Sequence, residues 1–104
     1  MAIGILGTGS AYPDKILTNF DLEKIVDTTD EWIRTRSGIS ERRICDATTA
    51  TSDLAALAGA RAIESAGLKP ADIDLIIVGT FGPDTLIPST ACTVMEKLDI
   101  PDCA

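Results

Sequence analysis

Between Asp72 and Gly79 the chain carries Ile73, Leu75, Ile76, Ile77 and Val78 with almost no polar interruption. Alternation would mark a strand with one wet face; a near-continuous apolar run marks a strand covered on both faces, as in a parallel sheet. Parallel neighbours need crossover connections, so this run predicts helices on either side of it in sequence. Ile3 to Leu6, followed by Gly7, Gly9 and Ser10, reads as a second short buried strand ending in a small-residue turn.

Helical segments fall where that scheme needs them. Asn19 is placed to cap a short helix over Phe20 to Val26. Thr28 is placed to open a second, with Glu31 three residues later in capping-box spacing and Gly38 as its stop. Ile39 to Ile44 reads as extended, and Thr48 to Ser52 as a polar loop. From about Ser52 or Asp53 a helix runs to Ala66, with alanines at 55, 56, 58, 60, 62 and 66 and Gly67 as terminator. Small side chains on nearly every side predict close packing on more than one face. A last helix begins near Pro88, carries Ala91, Val94, Met95 and Leu98 as its apolar stripe, and ends at Pro101. The pattern is α/β, and since two confident strands are too few for an independent sheet, the domain reads as unfinished at Ala104.

Nine Lys and Arg against sixteen Asp and Glu give a formal charge of −7, which disfavours nucleic acid as a partner. Arg34, Arg36, Arg42 and Arg43 nevertheless put four of the nine cations within ten positions, either as an anion site or as solvated ion pairs such as Asp30 with Arg34. Cys45, Cys92 and Cys103 form no CxxC, and the chain has no histidine, so no metal site or disulfide framework is expected and a reducing cytoplasm fits. No signal-peptide pattern is present and no apolar run could span a bilayer, so no membrane partner is expected.

Three constellations invite chemistry. Gly7-Thr8-Gly9-Ser10 after a strand suggests a dinucleotide loop, but Tyr12 and Pro13 stand where a third glycine and a helix start are required, so a turn is the better reading. Cys92 has no histidine to activate it and reads as a small buried hydrophobe beside an apolar stripe. Thr28, Trp32 and Arg36, spaced by four, lie along one drifting stripe of a helix. A hydroxyl, an aromatic plane and a guanidinium can together hold a nucleotide, by stacking on its base and gripping its phosphates. On spacing alone a capping threonine, a core tryptophan and a solvated arginine are the preferred account.

With these residues in view the chain resembles, over its whole length, the β-ketoacyl-acyl carrier protein synthase III family of the thiolase-like superfamily. The resemblance rests on co-linear segments at matching spacing: Gly7-Thr8-Gly9-Ser10, Leu17-Thr18-Asn19, Asp21-Leu22-Glu23, Val26 to Ile33, Arg36-Ser37-Gly38-Ile39, Glu41-Arg42-Arg43, Ile73 to Val78 and Pro88-Ser89-Thr90-Ala91-Cys92. It implies a thiolase-like α/β fold, incomplete, with a parallel-type sheet and crossover helices. Residues 1–104 would form a partial N-terminal domain that stops before the nucleophile helix, leaving this piece inactive alone.

The resemblance further implies that Trp32 stacks on the adenine of coenzyme A, Thr28 helps hold it and Arg36 meets its phosphates, reversing the preference drawn from spacing. Ile87 would lie near a homodimer interface and help line the partner's acyl pocket. The family passes a primer acyl group from coenzyme A to a cysteine and condenses it with malonyl-acyl carrier protein, losing carbon dioxide. Coenzyme A thioester is then a substrate, with no separate cofactor. Arg34 and Phe81-Gly82 depart from many relatives and bear on primer preference. A related condensing enzyme, of the 3-hydroxy-3-methylglutaryl-coenzyme A synthase or secondary-metabolite type, and a non-catalytic anion-binding module remain as alternatives.

Overall fold

Two of the four helices begin one residue away from the expected cap. The computed structural model describes residues 1–104, which fall into two compact units: Tyr12–Thr48, and Met1–Ala11 together with Thr49–Ala104.

In the Tyr12–Thr48 unit, strands β1 (Lys15–Thr18) and β2 (Glu41–Ile44) pair antiparallel, with Lys15 opposite Ile44 and Thr18 opposite Glu41. The β1 strand was not expected from sequence, because its four residues mix charge and apolar character too briefly to set a period. Helix α1 (Asn19–Glu23) follows at once, and Thr18, not Asn19, caps it. Its Oγ1 accepts from the Asp21 N–H at 3.2 Å while Asp21 Oδ2 accepts from the Thr18 N–H at 3.1 Å. The Thr18 hydroxyl also donates to Asp21 Oδ2 at 2.7 Å, and this bond, with that from the Thr18 N–H and with Lys24 nearby, holds the Asp21 carboxyl below the usual range.

Helix α2 (Asp30–Ser37) is likewise capped by Thr29 instead of Thr28, and Thr29 Oγ1 accepts from the Trp32 N–H at 3.1 Å. Glu31 does not close a reciprocal box. Gly38 ends α2 as expected, at φ 73°, a left-handed conformation that glycine adopts without a Cβ penalty.

In the other unit, α3 (Thr51–Ser65) and α4 (Thr90–Lys97) pack together, and Ala56, Val94 and Ile100 are its buried apolar residues. Gly67, at φ 68°, follows the end of α3. Residues 1–11 run against α3 through its glycines. A Cβ on Gly7 would meet the Ala66 nitrogen at 2.5 Å, and one on Gly9 would meet the Ala62 nitrogen at 2.5 Å and the Ala58 carbonyl oxygen closer still. The glycines are therefore required by close backbone approach, not by the turn expected from sequence. This contact also accounts for the alanine-rich face of α3.

The extended segments 3–6 and 73–79 do not enter a hydrogen-bonded ladder, and the only sheet of the chain is β1–β2. Leu75 and Ile77 are 59% and 84% exposed, so the apolar run is covered on one side only within this chain. Between it and the two helices lies a groove of about 430 Å³ reaching Gly59, Val94 and Leu98. One trace of parallel pairing is present: the Ala104 N–H donates to the Asp74 carbonyl at 3.0 Å, and the Ile76 N–H donates to the Ala104 carbonyl at 2.8 Å. A single residue bonded to two residues two apart is the parallel pattern.

Helix α4 starts after Ser89, whose hydroxyl accepts from the Cys92 N–H, and stops at Lys97, before the expected Pro101. Its last residue closes a polar cluster. Lys97 Nζ donates to Ser52 Oγ at 2.7 Å and to Asp53 Oδ1 at 2.5 Å, while the fully buried Ser52 hydroxyl donates to Asp84. The Ser52 N–H adds a bond to Asp84 at 2.9 Å. Ser52 bonding keeps the Asp84 carboxyl below its ordinary value, and the Lys97 ammonium does the same for Asp53. No helix is long and apolar enough to cross a membrane.

Candidate functional site

The Trp32 indole is not in a core. It is 58% exposed on α2, a helix whose single buried residue is Asp30. An eight-residue helix with so little apolar burial is marginal by itself, and polar anchors supply what packing does not. The Asp30 carboxylate takes a hydrogen bond from Asn19 Nδ2 at 2.9 Å and pairs with Arg34 at 2.6 Å, and the Asp30 N–H donates to Glu23 Oε1 at 2.6 Å.

Two shallow clefts meet at the indole. One, of about 200 Å³, is lined by Asp27, Thr28, Thr29 and Trp32; the other, of about 350 Å³, by Thr29, Glu31, Trp32, Thr35 and Arg36. The Arg36 guanidinium lies 5.8 Å from the ring centroid, in cation–π range. Thr28 is in the entering turn instead of on the helix, yet it shares a cleft with Trp32. The structure thus gathers the three expected residues around one exposed aromatic plane, Thr28 in one adjoining cleft and Arg36 in the other. Such a surface can stack a planar ring and attract an anion.

The four clustered arginines do not form one anion site, because each is drawn to a different group. Arg34 pairs with Asp30 and Arg36 lies over Trp32. Arg42 donates to Asn19 Oδ1 at 2.9 Å, and Arg43 donates to the Pro13 carbonyl at 3.0 Å beside the Tyr12 ring.

Ile87 is 89% exposed in the loop that precedes α4, next to a cis bond to Pro88. Cys92 is exposed, contrary to the expectation of a buried hydrophobe, because it stands two positions from the buried Val94 and so on the opposite face of α4; its Sγ lies 3.3 Å from Ser89 Oγ. No group of three or more Cys, Asp or Glu side chains is arranged to hold a metal. Sequence reasoning missed Asn19, Glu23, Asp30 and Arg42 as supports of α2. An asparagine at a strand–helix junction looks like a cap, and only the fold shows that the neighbouring Thr18 takes that task.

No family model matches the chain. It is 65% identical over 98 residues to β-ketoacyl-[acyl-carrier-protein] synthase III of Caldanaerobacter subterraneus subsp. tengcongensis, covering 94% of this chain and 30% of that protein. The crystal structure of 3-oxoacyl-[acyl-carrier-protein] synthase III from Aquifex aeolicus superposes with a TM-score of 0.87 at 49% identity, over 95% of this chain and 32% of that one. The priming β-ketosynthase of the R1128 polyketide pathway superposes with a TM-score of 0.88 at 33% identity, over 96% and 30%. The chain spans about a third of the length of the relatives it matches. The fold is that of an incomplete N-terminal half of a thiolase-like protein. Identity is higher to these two synthases III, at 65% and 49%, than to the polyketide enzyme, at 33%, and the chain matches the β-ketoacyl-[acyl-carrier-protein] synthases III as an N-terminal portion of them.

Proposed function

We propose that the protein bearing this chain starts fatty acid synthesis by moving a primer acyl group from coenzyme A onto itself and condensing it with malonyl-acyl carrier protein, releasing carbon dioxide. The α2 surface holds the nucleotide end of the thioester. Trp32 stacks on the adenine, Thr28 hydrogen-bonds near it, and Arg36 meets phosphate. The observation that carries this reading is the exposed indole shared by two clefts, one holding Thr28 and the other Arg36. None of Cys45, Cys92 or Cys103 is assigned as nucleophile, since this stretch offers no histidine to activate a thiol.

Coenzyme A acts here as part of a substrate, and neither a metal nor another cofactor enters the reading. A homodimer in the cytoplasm, with Ile87 contributing to the partner's acyl pocket, completes it; the support is the exposed Ile87 side chain and the family resemblance.

The test is Trp32→Ala in the full-length enzyme, assayed with acyl-coenzyme A and with the matching acyl-pantetheine, which lacks adenine. Loss of base stacking is worth about 1–3 kcal/mol, so KM for acyl-coenzyme A rises roughly 5- to 150-fold. KM for acyl-pantetheine stays within about twofold, because no adenine stack exists to lose. An unchanged KM for acyl-coenzyme A would remove Trp32 from the ligand site.

A further inference from the structure

We propose that Asn19 is a positioning residue for the nucleotide-holding surface, clamping both ends of α2 so that Trp32 and Arg36 are presented at one fixed angle. This inference rests on the function proposed above and adds a residue that never touches the substrate.

The side chain of Asn19 is fully buried, and a primary amide offers two N–H donors and one carbonyl acceptor. Both bonds of its amino group are directed at α2 and its exit. One N–H reaches Asp30 Oδ1 at 2.9 Å, at the first residue of the helix, and the amino group also reaches the Ile39 carbonyl at 2.8 Å, one residue beyond the terminating Gly38. The carbonyl oxygen accepts from Arg42 Nη2 at 2.9 Å, and Arg42 also donates to the Leu17 carbonyl at 3.3 Å, tying the amide to both strands. The Asn19 N–H itself donates to the Ser40 carbonyl at 3.1 Å. Since Asp30 is the one buried residue of α2, apolar packing does little to set the rotation or pitch of the helix. The amide bridge, anchored through Arg42 to the β1–β2 pair, does.

Asn19→Asp isolates this role. It keeps the shape and the acceptor toward Arg42 but turns the amino group into an oxygen facing Asp30 and the Ile39 carbonyl. In the full-length enzyme KM for acyl-coenzyme A should rise on the order of tenfold, the scale of one hydrogen bond to a charged group, with a smaller change for acyl-pantetheine. In a Trp32→Ala background the same substitution should move KM by clearly less than tenfold, because only the Arg36 contact is left to misplace and residues acting through a shared contact are not additive.

An Asn19→Asp effect that persists undiminished without Trp32, or is equal for both substrates, means a merely structural role and overturns the proposal. If Asn19→Asp does not fold, Arg42→Lys carries the same test, since it keeps the charge and loses the fork that orients the amide; an unchanged KM there also overturns it. Trp32→Ala separates the two readings: if it leaves KM unchanged, the nucleotide surface itself is wrong, whereas a raised KM with a silent Asn19→Asp sinks only the clamp.

Discussion

Gly9→Ala tests the closest packing in the chain. The added Cβ would lie 2.5 Å from the Ala62 nitrogen, where ordinary contact begins at 3.4 Å, so the two backbones must part by about 1 Å. Both obstructing groups, the Ala62 nitrogen and the Ala58 carbonyl, are main chain of α3 and cannot swing aside as a flexible side chain could. Overpacking of this kind costs about 1–3 kcal/mol. Alanine recovers part of that, about 0.4–1 kcal/mol, by restricting the unfolded chain. The net expectation is a loss of about 1–2 kcal/mol.

Gly4→Ala is the matched control, because a Cβ there meets nothing within 4 Å. It should be neutral or stabilise by up to about 1 kcal/mol. Urea unfolding followed by far-ultraviolet circular dichroism reads the difference, with the m-value checking that both variants unfold from the same state. Equal midpoints for Gly4→Ala and Gly9→Ala would refute the argument that residues 1–11 lie directly on the α3 backbone.

Two further expectations concern the same unit. Asp84 and Asp53 both titrate below the ordinary aspartate value, Asp84 chiefly through Ser52 and Asp53 chiefly through Lys97. A depressed folded-state value means the stabilisation is complete above the unfolded pKa of about 3.9 and disappears as pH falls through the lower folded value. Asp84→Asn should therefore flatten, but not abolish, the decline in urea midpoint on acidification from about pH 6 to about pH 2, and an unchanged acid slope would remove Asp84 from that linkage. Thr90 Oγ1 is buried with no hydrogen-bond partner, so Thr90→Val, which keeps the shape and removes the hydroxyl, should raise stability by about 1 kcal/mol in the same unfolding assay. A clear loss would mean that the hydroxyl is satisfied after all.

Part of this arrangement was legible in the sequence. Trp32 and Arg36 stand at a spacing that one helix face imposes, and Gly38 marked the end of that helix, because caps and periodicity are local properties of the chain, whereas Thr28 proved to lie in the entering turn. The prediction of α3 and its terminator Gly67 succeeded for the same reason. Cap identity did not, since Thr18 and Asn19, or Thr28 and Thr29, are equally competent by composition, and which one turns outward depends on the strand or turn that delivers it.

Local chemistry, in short-range patterns of apolar, small and capping residues, determined where helices lie, which glycines end them, and that an aromatic, a hydroxyl and a guanidinium share one segment. Tertiary structure alone decided that the indole faces outward, that Asn19 gives up capping to bridge Asp30 and Ile39, and that Ser52 joins Asp84 to Lys97. These are contacts between residues 11 to 45 positions apart, and no periodicity encodes which distant polar groups a buried amide or hydroxyl will find.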